Sequence, residues 1–98
     1  MSLAEITTTP EATGCDPKHF RHVNSLLERG VKEQIFPCAV YMVLRNGMVI
    51  AHGAFGATQP DAHPPIPCKP DTIFDLASIT KTFTATLLLQ HVEEGKLT

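Results

Sequence analysis

No stretch of this sequence carries a block of charge of one sign. Eight Lys and Arg stand against ten Asp and Glu across 98 residues, a formal net charge of -2. That leaves no basic stripe able to neutralise a run of phosphates and argues against a nucleic-acid partner. Long hydrophobic runs are also missing. The longest apolar stretch is a few residues, far short of the roughly 20 that span a bilayer, so no membrane span is expected. The opening "MSLAEITTTP" has neither a basic start nor an apolar stretch of signal-peptide type. No secretion signal is visible, and the compartment stays open. Cysteine is scarce: Cys15, Cys38 and Cys68 are odd in number, far apart and without a C-x-x-C. Neither a disulfide framework nor a zinc site is implied, and isolated reduced thiols are expected. Of the five histidines, His19 and His22 would share a helix face at i and i+3. No carboxylate or third histidine stands at ligand spacing beside them, so a metal-binding reading has no ligand set, and no cofactor is expected.

Several structural signals are present. Residues 1–15, rich in Thr, Ala and Glu, lack periodicity and read as a flexible tail. A helix then begins with Asp16 as N-cap and Pro17 in the first position, where a missing N–H costs nothing. Phe20, Val23, Leu27 and Val31 recur at spacings of three and four along it. Gly30 is a candidate stop, with Gln34 as a later alternative. The period then changes. Ala39–Leu44 and Met48–His52 flank Arg45, Asn46 and Gly47, and Asn-Gly supplies the positive φ angles of a two-residue type I′ turn. The first run is apolar almost throughout, which predicts a strand covered on both faces. "ATQPDAHPPIPCKPD" holds five of the eight prolines. It can be neither helix nor central strand and reads as a stiff surface connection. "TIFDLAS" reads as a short strand, and residues 78–94 as a helix closed by Gly95. That helix carries Ile79, Phe83, Leu87, Leu88, Leu89 and Val92 on most of its faces, a pattern for burial on most sides.

Ser78 and Lys81 stand three apart where this last helix begins. Neighbours at i and i+3 can touch, so the lysine amine can reach the serine hydroxyl. The first turn of a helix also offers unpaired N–H groups and the positive end of the dipole. A serine that attacks a carbonyl needs both: a base for its proton and donors for the resulting oxyanion. Lys81 is the only basic residue between Lys69 and Lys96, stranded on an apolar helix where desolvation would favour its neutral amine. A bare S-x-x-K also arises by chance, since Ser is a common N-cap and Lys a common helix residue.

"TIFDLASITKTFTATLLLQHVEEGKLT" resembles the segment around the active-site serine of the serine β-lactamase and penicillin-binding-protein superfamily, whose signature is S-x-x-K. "IFPCAVYMVLRNGMVIAHGAFG" is similar to the first helix end and first hairpin of its class C β-lactamase and family VIII esterase branch. Cys38 stands where that branch has a small residue, often Gly. The similarity covers about residues 20–98. It implies an α+β fold of β-lactamase/transpeptidase type, an antiparallel sheet flanked by helices. This chain would supply its first helix, hairpin, Pro-rich loop, short strand and S-x-x-K helix. By the same resemblance, residues 16–76 belong to the sheet domain and residues 77–98 lead into a helical region.

The resemblance makes Ser78 the acyl-accepting nucleophile, with its backbone N–H as half of an oxyanion hole, and Lys81 the amine that activates it. It also calls for a tyrosine in Y-x-N and a K-T-G-like strand. Neither occurs: Tyr41 lies in the first strand, and "KTF" at 81–83 overlaps the helix. The expectation is the N-terminal portion of a serine hydrolase that forms an acyl-enzyme with a β-lactam, a D-amino-acid peptide or an ester. It would need the remainder of the fold as its partner. The alternative is a non-catalytic truncated fragment or binding module of the same fold.

Overall fold

A computed structural model describes residues 2–98. Helix α1 spans Pro17–Lys32, strand β1 Cys38–Arg45, strand β2 Met48–Gln59, strand β3 Ile66–Pro67 and helix α2 Thr80–Glu93. The strands form one antiparallel sheet in the order β1-β2-β3. The α+β class and the antiparallel sheet are as expected. Among the described residues no helix is long and apolar enough to cross a membrane.

Helix α1 starts as its sequence dictates: the Asp16 carboxylate accepts the Lys18 N–H at 2.9 Å, and Pro17 follows the cap. It runs past Gly30, which is buried inside the helix. A Cβ at Gly30 would overlap the Phe36 ring, so this glycine serves as a packing point. The helix ends at Lys32, and Gln34 just beyond its cap takes a left-handed φ of 57° while Gln34 N–H bonds Val31 O and Ile35 N–H bonds Gly30 O. Those two bonds form a Schellman closure with a non-glycine residue at its left-handed position.

Arg45 pairs with Met48, and Asn46 and Gly47 between them have φ of 53° and 77°, the type I′ turn the dipeptide predicts. Beyond the turn, Val43 pairs with Ala51 but Leu44 with Val49, so Ile50 is the extra residue of a bulge. The bulge breaks the two-residue alternation, and the consecutive Val49 and Ile50 are both buried, at 0% and 5% exposure. Strand β2 extends to Gln59, well beyond the expected His52. The extension passes two glycines that look like breakers but mark close contacts. A Cβ on Gly53 would lie 2.9 Å from the Tyr41 ring, and one on Gly56, at φ 78°, would collide with the Pro37 carbonyl oxygen.

Helix α1 lies against β2. Tyr41 stacks on Phe55 with ring centroids 6.1 Å apart, and its hydroxyl donates to Asn24 Oδ1 of α1 at 2.7 Å. Strand β1, read as covered on both faces, is here an edge strand and only half-buried over most of its length. Residues 2–15 run as two 3-10 turns, Leu3–Ile6 and Glu11–Thr13, and Thr7 between them bridges to Val49.

The short strand expected at "TIFDLAS" is not formed: residues 72–76 pair with nothing, and the third strand is Ile66–Pro67 inside the Pro-rich segment. A proline at a sheet edge sacrifices no ladder bond, which is why this segment pairs despite its composition. Helix α2 departs most from expectation. None of its residues is buried: Phe83 is 59% and Leu89 68% exposed. Among the described residues only the 3-10 turn before it makes substantial contact with α2.

Candidate functional site

Ser78 and Lys81 come together. Lys81 Nζ donates to Ser78 Oγ at 3.2 Å. Ser78 sits one step earlier in the architecture than the sequence suggested, in a 3-10 turn over Ala77–Ile79 that leads into α2, and Lys81 is the second residue of α2 itself. The turn keeps the i, i+3 relation that brings the two side chains together, because 3-10 geometry stacks such residues almost directly.

Two residues that set up this turn escape a reading of the pattern alone. Ala77 has φ 45°, a left-handed conformation that costs a residue with a Cβ about 1–2 kcal/mol. Asp75 holds it there: its Oδ1 accepts the Ala77 N–H at 2.7 Å. Ile79 N–H bonds Leu76 O at 3.0 Å, which closes the turn. The aspartate two residues before a tight turn was the available signal, since Asp favours such side-chain-to-backbone turns. Reading "TIFDLAS" as a strand hid it. Residues held in sparsely populated backbone conformations cluster at functional sites, and this one directly precedes Ser78.

Both side chains are exposed, on an open depression of about 440 Å³ bordered by Thr84, Ala85 and Leu88. The desolvation expected of Lys81 is therefore absent among the described residues, because nothing covers the faces of α2. A second cavity of about 490 Å³, between Val31, Phe36, Pro37, Ala57, Pro60 and Pro65, shares no residue with the first. Its polar lining is Gln34 and Asp61, with no serine, cysteine or lysine. His19 and His22 are exposed, and among the described residues no three His, Cys, Asp or Glu side chains converge on a metal position.

Comparison with known proteins places this arrangement in context. The family described as Beta-lactamase matches residues 23–98, which include the hairpin, Ser78 and Lys81. The chain is 35% identical over 86 residues to an N-acetylmuramyl-L-alanine amidase of Bacillus subtilis (strain 168), covering 82% of this chain and 19% of the amidase. It is 26% identical over 77 residues to Protein flp of Staphylococcus aureus (strain NCTC 8325 / PS 47), covering 79% of this chain and 15% of that protein. This chain thus spans about a fifth or less of the length of these relatives. No solved structure matches.

Proposed function

The chain belongs to the Beta-lactamase family, and from that premise we propose that it carries the nucleophilic part of a serine hydrolase working through an acyl-enzyme. Membership of the family supports a hydrolase; the roles of individual residues are our reading. The observation that carries it is the 3.2 Å approach of Lys81 Nζ to Ser78 Oγ at a strained turn opening a helix. In this reading the neutral Lys81 amine takes the Ser78 proton as Oγ bonds to the substrate's carbonyl carbon. The carbonyl oxygen becomes an oxyanion that the Ser78 N–H can meet. The intermediate collapses, the leaving nitrogen or oxygen takes a proton, and Ser78 is left as an ester. Water then cleaves that ester and releases the acid.

The substrate class is an amide or ester acyl donor: a β-lactam, a D-amino-acid peptide or a simple ester. The amidase name of one relative agrees with amide cleavage. Similarity of residues 35–56 to the class C and family VIII branch supports that placement within the family. In this proposal residues 16–76 belong to the sheet domain, residues 77–98 lead into a helical region, and residues 1–15 lie outside both. The second oxyanion donor and the tyrosine belong to K-T-G-like and Y-x-N motifs that this sequence lacks. We therefore read residues 1–98 alone as inactive, and the uncovered α2 supports that reading.

The test is intact mass spectrometry of the complete protein after exposure to a penicillin and, separately, to a short-chain activated ester. One acyl adduct on Ser78 is expected from at least one of them, and none on a Ser78→Ala variant. An adduct that survives in Ser78→Ala would reject the assignment.

A further inference from the structure

The three cysteines, isolated in sequence, are not all isolated in space. Cys38 opens β1 and is the register partner of Gly56, so the two residues project to the same face of the sheet. On the other side of β2, Cys68 N–H donates to the Gly56 carbonyl at 2.9 Å. Gly56 has no side chain of its own to stand between residues 38 and 68 across the middle strand. Cys68 uses that gap: its Sγ reaches over β2 to within 4.0 Å of the Ala39 carbonyl on β1, and the residue is buried. Cys15 lies elsewhere, with its Sγ 3.4 Å from Arg45 Nη1.

We propose that Cys38 and Cys68 form a dithiol that closes to a disulfide by exchange with a low-molecular-weight disulfide, stapling β1 to the end of the Pro-rich segment across β2. The Cys38 thiolate attacks one sulfur of the small disulfide, forming a mixed disulfide and releasing one thiolate. Cys68 then loses its proton, and its sulfur displaces the second small thiolate from Cys38. In sum, two protein thiols and one small disulfide give one protein disulfide and two small thiols, with two electrons passing to the small molecule. Burial, followed by a hydrogen bond from Cys68 and the charge Cys68 would carry, pushes the Cys38 thiol above its ordinary pKa. The attacking thiolate is therefore scarce at neutral pH, and closure accelerates as pH rises. The inference does not depend on the reading of Ser78.

The experiment incubates the complete protein with oxidised glutathione at pH 8.5, traps free thiols with iodoacetamide and maps the peptides by mass spectrometry. The expected product joins the Cys38 and Cys68 peptides with loss of two hydrogens, while Cys15 is alkylated. Glutathione retained on Cys38 beside an alkylated Cys68 would overturn the proposal, as would a bridge that includes Cys15. Melting curves give an independent reading. The closed form should melt about 5 °C or more above the reduced protein, because the bridge shortens the unfolded chain's freedom over a long loop. Reduced Cys38→Ser should melt within about 2 °C of reduced wild type, as a one-atom exchange at a half-buried site that leaves Cys68 in place. An unchanged or lower melting temperature on oxidation would refute the staple.

Discussion

Helices α1 and α2 close with the same pair of hydrogen bonds and present opposite surfaces. In α1, Gln34 N–H bonds Val31 O and Ile35 N–H bonds Gly30 O. In α2, Gly95 N–H bonds Val92 O and Lys96 N–H bonds His91 O. The left-handed residue is Gln34 at 57° in one and Gly95 at 73° in the other. Yet α1 rests on β2 with Phe20, Val23, Leu27 and Val31 half-buried, whereas every residue of α2 is exposed. A helix with one apolar stripe finishes its packing on a single sheet face. One that is apolar all round needs neighbours on most sides, and this chain provides only the turn before it. The comparison separates a helix that packs on the chain's own sheet from one whose faces, among the described residues, are left uncovered.

The largest expected effect lies on α2. Replacing Lys81 by Arg keeps the charge but removes the group that can shed a proton, and acylation in the complete protein should fall about 10²–10⁴-fold. Single-turnover kinetics within about tenfold of wild type would show that Lys81 is not the base. Replacing basic residues on α1, such as Lys18, should leave the rate unchanged.

Next in size is the behaviour of residues 1–98 expressed alone. Among the described residues only Val49, Ile50 and Cys68 are buried hydrophobic residues, and α2 exposes its apolar faces. This segment should self-associate and melt without a cooperative transition, and it should not turn over an activated ester. A sharp melt with Ser78-dependent turnover would mean that α2 needs no further covering.

A smaller effect should mark α1 as the packed helix. Gly30→Ala puts a methyl into the Phe36 ring and should cost about 1–3 kcal/mol by urea denaturation of the complete protein. The smallest effects test the shared ending. Gly95→Ala should cost about 1 kcal/mol, and Gln34→Gly should gain about 0.5–1 kcal/mol, because only glycine takes a positive φ without a steric penalty. Equal effects of the same sign would show that the two closures are not equivalent.

Local signals were the legible ones. The Asp16-Pro17 start, the Asn46-Gly47 turn and the Gly95 stop each act through a few neighbouring atoms. Glycines that make room for a ring were less legible. Gly30 reads as a helix stop and Gly53 lies just past the expected strand end at His52, but each is a place where an aromatic ring packs against the backbone. The Ile50 bulge was equally hidden, since an extra residue in a ladder is defined only against the partner strand.

By itself the sequence determined the hairpin and the placing of Ser78 and Lys81 three apart at the start of a helix. These follow from spacing and backbone preference, which operate within a few residues. Tertiary structure alone decided that Cys38 and Cys68 both adjoin Gly56, that a proline-bearing segment becomes the third strand, and that Asp75 holds Ala77 in a strained turn ahead of the serine. The first two depend on which surfaces come together, with Gly56 of β2 bringing residues 38 and 68 to its two sides. The third depends on backbone angles at one residue, which hydrophobic periodicity does not encode.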